Sequence, residues 1–417
     1  MKKGLLVLGT AAIITGITWV LTPPIYEFIP FVALFSQFIG ALSLLGFAFT
    51  FFISTRHPFV DEMFNGLDKA YIAHKWIGIG SIALAIAHVV ILVFGQSMEL
   101  IGSGFTPFGL IGRPSMLLFV ILALAAIFAK KMNYENWKSI HKFMILPYII
   151  GLVHYYGAST YIPFGFNLFS IFMNIVNIIG IISAFYAIFV YERTAFRFKY
   201  KVSSVQTVAH KTLEITGKAI GEHISHQPGQ FTFFKIQNES IKFPSHPFTI
   251  STASKADIIQ FTIKNLGDHT AKLADTIKTD DVFSVTAPHG RFDYTKGGKH
   301  QIWIAGGIGI APFRSFYQAT IPEHFSIDFF YAYTGEEGAY LDELRALDKS
   351  NLRVYLNDSR EQGRLTAEKI QDKINAETPV DIYFCGPKTM RDSLRKGLQS
   401  SNVQMQAFHF EEFEFGR

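Results

Sequence analysis

Four histidines lie inside apolar stretches of the sequence. His74 and His88 sit in AYIAHKWIGIGSIALAIAHVV, residues 70–90, and His141 and His154 follow in a second such stretch. An ionisable ring in lipid-like surroundings is costly and usually functional. The spacings are fourteen and thirteen residues, which rise ~21 and ~20 Å at ~1.5 Å per residue of helix. Each helix therefore carries one ring near each membrane face. If both helices run inward to outward, His74 lies level with His141 and His88 with His154. Two stacked bis-histidine sites result, each suited to a flat macrocycle, and haem is the natural occupant. A zinc ion wants three or four N, S or O ligands, and no acidic residue lies at these heights. A neutral histidine pair hydrogen-bonded across helices is the alternative without a cofactor. Fourteen positions return to within ~40° of the same helix face, whereas thirteen leave ~140°. Pro147, between His141 and His154, is expected to kink that helix and re-aim one ring.

A second set of candidates lies beyond residue 193. His246-Pro247-Phe248-Thr249-Ile250-Ser251 opens a strand, where hydroxyls, backbone amides and an aromatic can position a flavin ring. Lys264, followed by Gly267-Asp268-His269-Thr270 at a helix start, suits a pyrophosphate, though the same residues read as a plain capped turn. Ala305-Gly306-Gly307-Ile308-Gly309-Ile310-Ala311-Pro312-Phe313 joins an apolar strand to a helix. Its glycines admit close approach of a dinucleotide phosphate, and Pro312 suits a first turn. Cys385-Gly386-Pro387 ends a later strand, where Cys385 flanks a nicotinamide or is simply a small core residue. Ser359 and Arg360, after another strand, can grip a 2′-phosphate, which favours NADPH over NADH; the alternative is a solvated turn.

These candidates need elements to hold them. The chain has 417 residues, 49% of them apolar, a net charge of +5 and one cysteine, so disulfide frameworks and cysteine-based zinc sites are excluded. Six apolar spans, about 4–22, 31–53, 70–94, 113–130, 137–157 and 166–191, each approach the ~20 residues that cross a bilayer. The first, behind Lys2 and Lys3, is expected to be a retained helix, because Thr22-Pro23-Pro24 follows it in place of a cleavage site. Lysines and arginines gather at Lys2–Lys3, Arg56–Lys69, Lys130–Lys138 and Arg193–Lys201, alternate connections that place both termini in the cytosol. Arg113, at the outer end of span four, either attracts an anion or anchors the helix. No nucleic-acid motif is present.

After Tyr191, period-two runs at 230–236, 248–251 and 258–263 predict a small antiparallel barrel. From about His300, strands at 301–305, 327–333, 351–356 and 381–385 alternate with helices and predict an open parallel sheet. The expected fold is a multi-domain membrane protein. A six-helix transmembrane domain spans 1–192, a flavin-binding antiparallel β-barrel 193–296 and a nucleotide-binding α/β domain 297–417.

Together the histidine pairs, Tyr134-Glu135-Asn136-Trp137-Lys138-Ser139-Ile140-His141, HPFT, GDHT, AGGIGIAPF and FCGP resemble, in order, the NADPH oxidase and ferric reductase superfamily. The resemblance covers nearly the whole chain. It implies two b-type haems on His74, His88, His141 and His154, a ferredoxin-reductase-like module binding FAD and NADPH, and electron delivery to an acceptor outside, namely dioxygen to give superoxide. A ferric chelate or a quinone is the alternative acceptor, and a non-enzymatic haem-binding membrane sensor the alternative class. Phe415 would be the terminal aromatic that stacks on the flavin and, with Cys385, serve the hydride step; Phe413 is the other candidate. The chain lacks a calcium-loop signature, an outer-loop cysteine pair and an arginine inside span two. It resembles a compact bacterial member in the cell membrane, with a lipid bilayer around it, no nucleic acid and no obligatory protein partner.

Overall fold

The structure, a computed structural model, describes residues 1–23, 30–98, 107–128, 134–158, 165–238, 241–242, 245–255, 257–374 and 378–411. It has two compact units, one comprising residues 1–194 and one beginning at Ala195.

The first unit is helical: α1 (Lys2–Leu21), α2 (Phe31–Ser54), α3 (Pro58–Phe64), α4 (Leu67–Ser97), α5 (Pro107–Ile127), α6 (Tyr134–Lys142), α7 (Ile145–Ala158) and α8 (Leu168–Phe185). A π-turn at Tyr186–Val190 leads into α9 (Tyr191–Thr194). Among the described residues, five helices are long and apolar enough to cross a membrane. Large side chains such as Leu6, Val20, Trp76 and Ile182 point outward, as lipid-facing helices require. Small residues line the helix contacts, where close approach replaces a hydrophobic driving force. Gly46 stands against Ser81, Gly180 against Tyr148 and Ala48, and the Ser43 hydroxyl donates to the Ser81 carbonyl at 2.8 Å.

The fifth apolar span is not one helix. The amides of Phe143 and Met144 donate to the carbonyls of Ile140 and His141 at 3.0 and 3.1 Å, a tightened turn that ends α6. Helix α7 then starts at Ile145, so Pro147 falls in its first turn, where a missing N–H costs nothing. Continuing α6 through this point would drive the proline ring into the Phe143 carbonyl. The break therefore falls four residues before the proline that enforces it.

The second unit opens with a barrel. Its strands are β1 (Phe198–Ala209), β2 (Thr212–Ala219), β3 (Phe231–Asn238), β4 (Ile241–Lys242), β5 (His246–Thr249), β6 (Ile258–Lys264) and, after α10 (Asp268–Thr276), β7 (Val282–Val285). They pair in the order β4-β3-β7-β1-β2-β6, with β5 on β3. An Ile250–Phe261 bridge joins the end of β5 to β6. The core is aromatic: Phe283 is fully buried, 4.6 Å from Phe234, 5.5 Å from Tyr200 and 6.0 Å from Phe261.

An α/β layer follows: β8 (His300–Gly306), α11 (Ile310–Gln318), β9 (Ser326–Tyr333), α12 (Leu341–Arg345), β10 (Leu352–Asp358), α13 (Ser359–Gln362), α14 (Ala367–Gln371), β11 (Val380–Cys385), α15 (Lys388–Gln399) and β12 (Met405–Phe410). The sheet is parallel, in the order β10-β9-β8-β11-β12. Strand order reverses between β8 and β11, and ligands of such sheets bind at the carboxyl ends beside that reversal.

Phe283→Ala should cost the barrel about 3–5 kcal/mol, the usual range for emptying a buried phenylalanine. Thermal unfolding of the detergent-solubilised protein reads this as a lowered Tm, and an unshifted Tm would refute it.

Candidate functional site

In the helical unit, the four histidines meet as two pairs. The rings of His74 and His141 lie 5.9 Å apart between centroids, inclined at 68°, and those of His88 and His154 lie 6.1 Å apart at 67°. An imidazole nitrogen sits about 2 Å from a first-row metal ion, and the ring centre about 1.2 Å further back, so two rings on opposite faces of one ion have centroids roughly 6.4 Å apart. Both pairs come within about half an ångström of that spacing. Among the described residues no group of three or more His, Cys, Asp or Glu side chains gathers to hold an ion. Each pair could therefore offer two nitrogen ligands to one metal ion and no more.

The ring nitrogens are differentiated. His74 Nδ1 donates to the Thr50 carbonyl at 3.1 Å, His88 Nδ1 to the Ser36 carbonyl at 2.8 Å and His154 Nδ1 to the Phe108 carbonyl at 2.8 Å. A carbonyl accepts only, so Nδ1 carries the proton and Nε2 keeps its lone pair for a metal. The Ser36 hydroxyl donates back to the His88 carbonyl at 3.0 Å. Gly40 lies against the His88 ring and Gly112 against the His154 ring, each where a Cβ would crowd the imidazole. His141 is held differently: its Nδ1 is buried without a hydrogen-bond partner, and the Trp137 ring stacks on it at 5.3 Å. Arg113 is exposed, adjacent in sequence to Gly112.

In the second unit, β5 carries HPFT on the barrel wall, with Thr249 opposite Phe231 and Phe248 opposite Thr232. Thr249 is buried, and Ser251 is wholly buried with a hydroxyl that makes no hydrogen bond. An orphaned hydroxyl at the end of this strand suits a polar ligand edge such as a flavin presents. His246 stacks on His269 at 3.5 Å. The Thr270 hydroxyl accepts from the amides of Leu266 and Gly267 and closes the first turn of α10. Lys264 does not stand alone as a phosphate ligand: its ammonium pairs with Glu337 at 2.8 Å and holds that carboxyl below its usual range.

The AGGIG and CGP segments leave adjacent strands, Cys385 of β11 opposite Ala305 of β8. Their glycines serve mainly each other. A Cβ on Gly309 would strike the Cys385 carbonyl, one on Gly386 would come within 3.1 Å of the Gly306 Cα, and one on Gly306 within 2.9 Å of Met390 Sδ. Gly307 differs. Its φ of +54° excludes most side chains, and nothing lies near its Cβ position. It is the glycine placed to meet a ligand backbone-first. Pro312 lies buried in the first turn of α11. Cys385 is buried beside Trp303, Ala305 and Phe313; burial, reinforced by Glu411, pushes its thiol well up, so it remains protonated. Pro387 precedes α15.

At the neighbouring strand end, the Asp358 carboxylate accepts from the amides of Gly335 and Arg360 at 3.0 and 2.9 Å, and these bonds lower its pKa. Ser359 and Arg360 follow in α13, with the guanidinium exposed against Gly335. Phe413 and Phe415 lie outside the described residues.

The sequence reading passed over Arg314, the residue after AGGIGIAPF. It is buried, paired with Glu214 at 2.7 Å. The signal was available: on α11, Ile310, Phe313, Arg314 and Tyr317 fall at the spacing of one buried stripe, and a charge within it needs a partner.

Comparison with known proteins agrees with this division. The chain is 23% identical over 210 residues to a flavohemoprotein of Burkholderia sp. (strain TH2), covering 46% of this chain and 52% of the relative. It is 28% identical over 144 residues to the carnitine monooxygenase reductase subunit of Escherichia coli (strain K12), covering 34% and 43%. The chain spans about half the length of these relatives. Among solved structures, the flavohem-like FAD/NAD binding domain of a nitric oxide dioxygenase from Vibrio cholerae O1 biovar El Tor aligns at 18% identity and a TM-score of 0.43, covering 51% of this chain and 98% of that one. Residues 39–152 match the ferric reductase like transmembrane component, residues 197–301 an FAD-binding domain and residues 303–396 an oxidoreductase NAD-binding domain. The chain thus joins a ferric-reductase-like transmembrane component to FAD-binding and oxidoreductase NAD-binding domains. With these three domains in this order, the chain has the domain architecture of the NADPH oxidase and ferric reductase superfamily.

Proposed function

We propose that the chain is a transmembrane NADPH oxidase. It takes two electrons from cytosolic NADPH and passes them singly to two dioxygen molecules on the outer side, releasing NADP⁺, a proton and two superoxide ions. The observation that carries this reading is the pair of facing histidine couples within one helical unit, in a chain that also has flavin and nucleotide domains. When bound, FAD supplies the change from two-electron to one-electron transfer, and two b-type haems supply one-electron carriers.

The chain's own residues bind and orient. His74 with His141, and His88 with His154, would hold the haem iron, while the carbonyls of Thr50, Ser36 and Phe108 fix three of the rings. Thr249 and Ser251 hold the flavin edge. Gly307 admits the dinucleotide, Gly306 and Gly309 set the loop that presents it, and Arg360 with Ser359 grips the 2′-phosphate. Cys385 packs beside the nicotinamide as a neutral thiol. Phe415 is the candidate to cover the flavin. The basic connections support a topology with both termini in the cytosol, in the cell membrane of a bacterium. The match to a ferric-reductase-like component favours a ferric chelate as the second acceptor.

Purified protein given FAD and NADPH should consume oxygen and reduce cytochrome c in a manner blocked by superoxide dismutase. Dismutase-insensitive reduction without oxygen uptake would remove the oxidase reading, and anaerobic ferrous-chelate formation would put the ferric one in its place. His74→Leu and His88→Leu should each halve the haem content measured by extraction; full content in either would exclude that ligand. Arg360→Ala should raise the KM for NADPH roughly ten- to hundredfold, the worth of a charge-assisted bond, and leave that for NADH unchanged. An equal effect on both nucleotides would dismiss the 2′-phosphate contact.

A further inference from the structure

We infer that Arg314 is a positioning residue for hydride transfer, the centre of a buried clamp that fixes the nucleotide-presenting loop against the flavin-binding strand. The inference rests on the oxidoreductase reading above.

Arg314 projects from α11, the helix that the AGGIG loop begins. It is 7% exposed, and its partner Glu214, on barrel strand β2, is 6% exposed. One guanidinium gathers groups from both layers of the unit. From the barrel it takes Glu214 at 2.7 Å, Gln260 of β6 at 3.0 Å and, at 3.5 Å, the carbonyl of Ser251 in the flavin-binding segment. From the α/β layer it takes Glu343 of α12 at 3.1 Å and lies 4.1 Å from the Tyr340 ring centre. The shell closes on itself. The Tyr340 hydroxyl donates to Glu214 at 3.0 Å and lies 2.7 Å from the Thr262 hydroxyl. Gln260 donates to Glu214 at 3.1 Å, and Gln318 joins Glu343 to Thr252.

Stability alone is a poor reason for such an arrangement. A buried ion pair rarely outperforms well-packed apolar side chains of the same volume. This one also holds Tyr340 at a φ of +60°, a conformation costly for a bulky residue. What it provides is geometry. A planar guanidinium with several fixed acceptors leaves little freedom of sliding, so Ser251 on one layer and the start of α11 on the other keep one relative placement. Hydride transfer is sensitive to such placement.

The test uses the full chain reconstituted with FAD. Arg314→Met alone strands the buried Glu214 carboxylate, so the informative variant is Arg314→Met with Glu214→Met, which removes the buried pair, keeps the volume and leaves the more exposed Glu343 to solvent. We expect it to fold with a Tm near that of the wild type. Its flavin should be reduced by saturating NADPH about ten- to hundredfold more slowly, the cost of a small misplacement. The KM for NADPH and reduction by dithionite, which needs no nicotinamide geometry, should be unchanged. Arg314→Lys, which keeps the charge and loses the fork, should fall between. A folded double variant as fast as the wild type would overturn this inference alone. Wild-type flavin left oxidised by NADPH would overturn the functional reading, and the inference with it.

Discussion

A bilayer core offers an imidazole no hydrogen-bond partner, so a histidine placed there must look within the protein for partners to its ring nitrogens. That requirement organises the helical unit. His74 and His88 turn to the carbonyls of Thr50 and Ser36, and Thr50 and Ser36 are themselves fourteen residues apart. The interval on α4 is thus copied, in reverse order, on α2. Antiparallel helices can satisfy both rings at once only if they stay close and in register over four turns. Gly40, Ser43, Gly46 and Ser81 allow that approach. The nitrogen left over on each ring is the one available to a metal, so structural satisfaction and ligand tautomer are one arrangement.

The opposite side of each site is built differently. Thirteen residues on one straight helix would face His141 and His154 apart, yet both meet their partners. The chain between them is two helices, and the tightened turn at Phe143–Met144 supplies the missing rotation. Here the sequence carried the cause but not its position. Pro147 is visible in any reading, but a proline acts on the carbonyl four residues earlier, and the disruption appears there. His154 finds the Phe108 carbonyl, whereas His141 rests on the Trp137 ring. The first contact has no periodicity that a sequence could betray, whereas Trp137 and His141 are i,i+4 neighbours on α6.

In the reductase unit, what was legible follows the same division between local and distant causes. Alternation and strand–turn–helix rhythm located three of the barrel strands, β3, β5 and β6, and the four strands 301–305, 327–333, 351–356 and 381–385, each within about two residues of the observed bounds. The glycine loop was legible as a loop and only partly as a site. Gly306 and Gly309 are glycine because the Cys385–Gly386 turn of the neighbouring strand lies against them, a contact that spans about eighty residues of sequence. Lys264 looked free for a phosphate because Glu337, its partner, comes from the other layer.

Arg314 and Glu214, a hundred residues apart, were illegible as a pair for the same reason, and their type explains why they persist. An apolar contact between layers tolerates slippage, because dispersion attraction has no direction. A guanidinium among fixed acceptors does not tolerate it, because each displaced bond leaves a buried charge unsatisfied. His74, His88 and His154 of the helical unit obey the same rule with carbonyls as the acceptors. In both units, then, costly buried polar groups stand where position matters more than stability. The apolar residues around them, which any reading of the sequence finds first, supply the burial that makes those few directional bonds exacting.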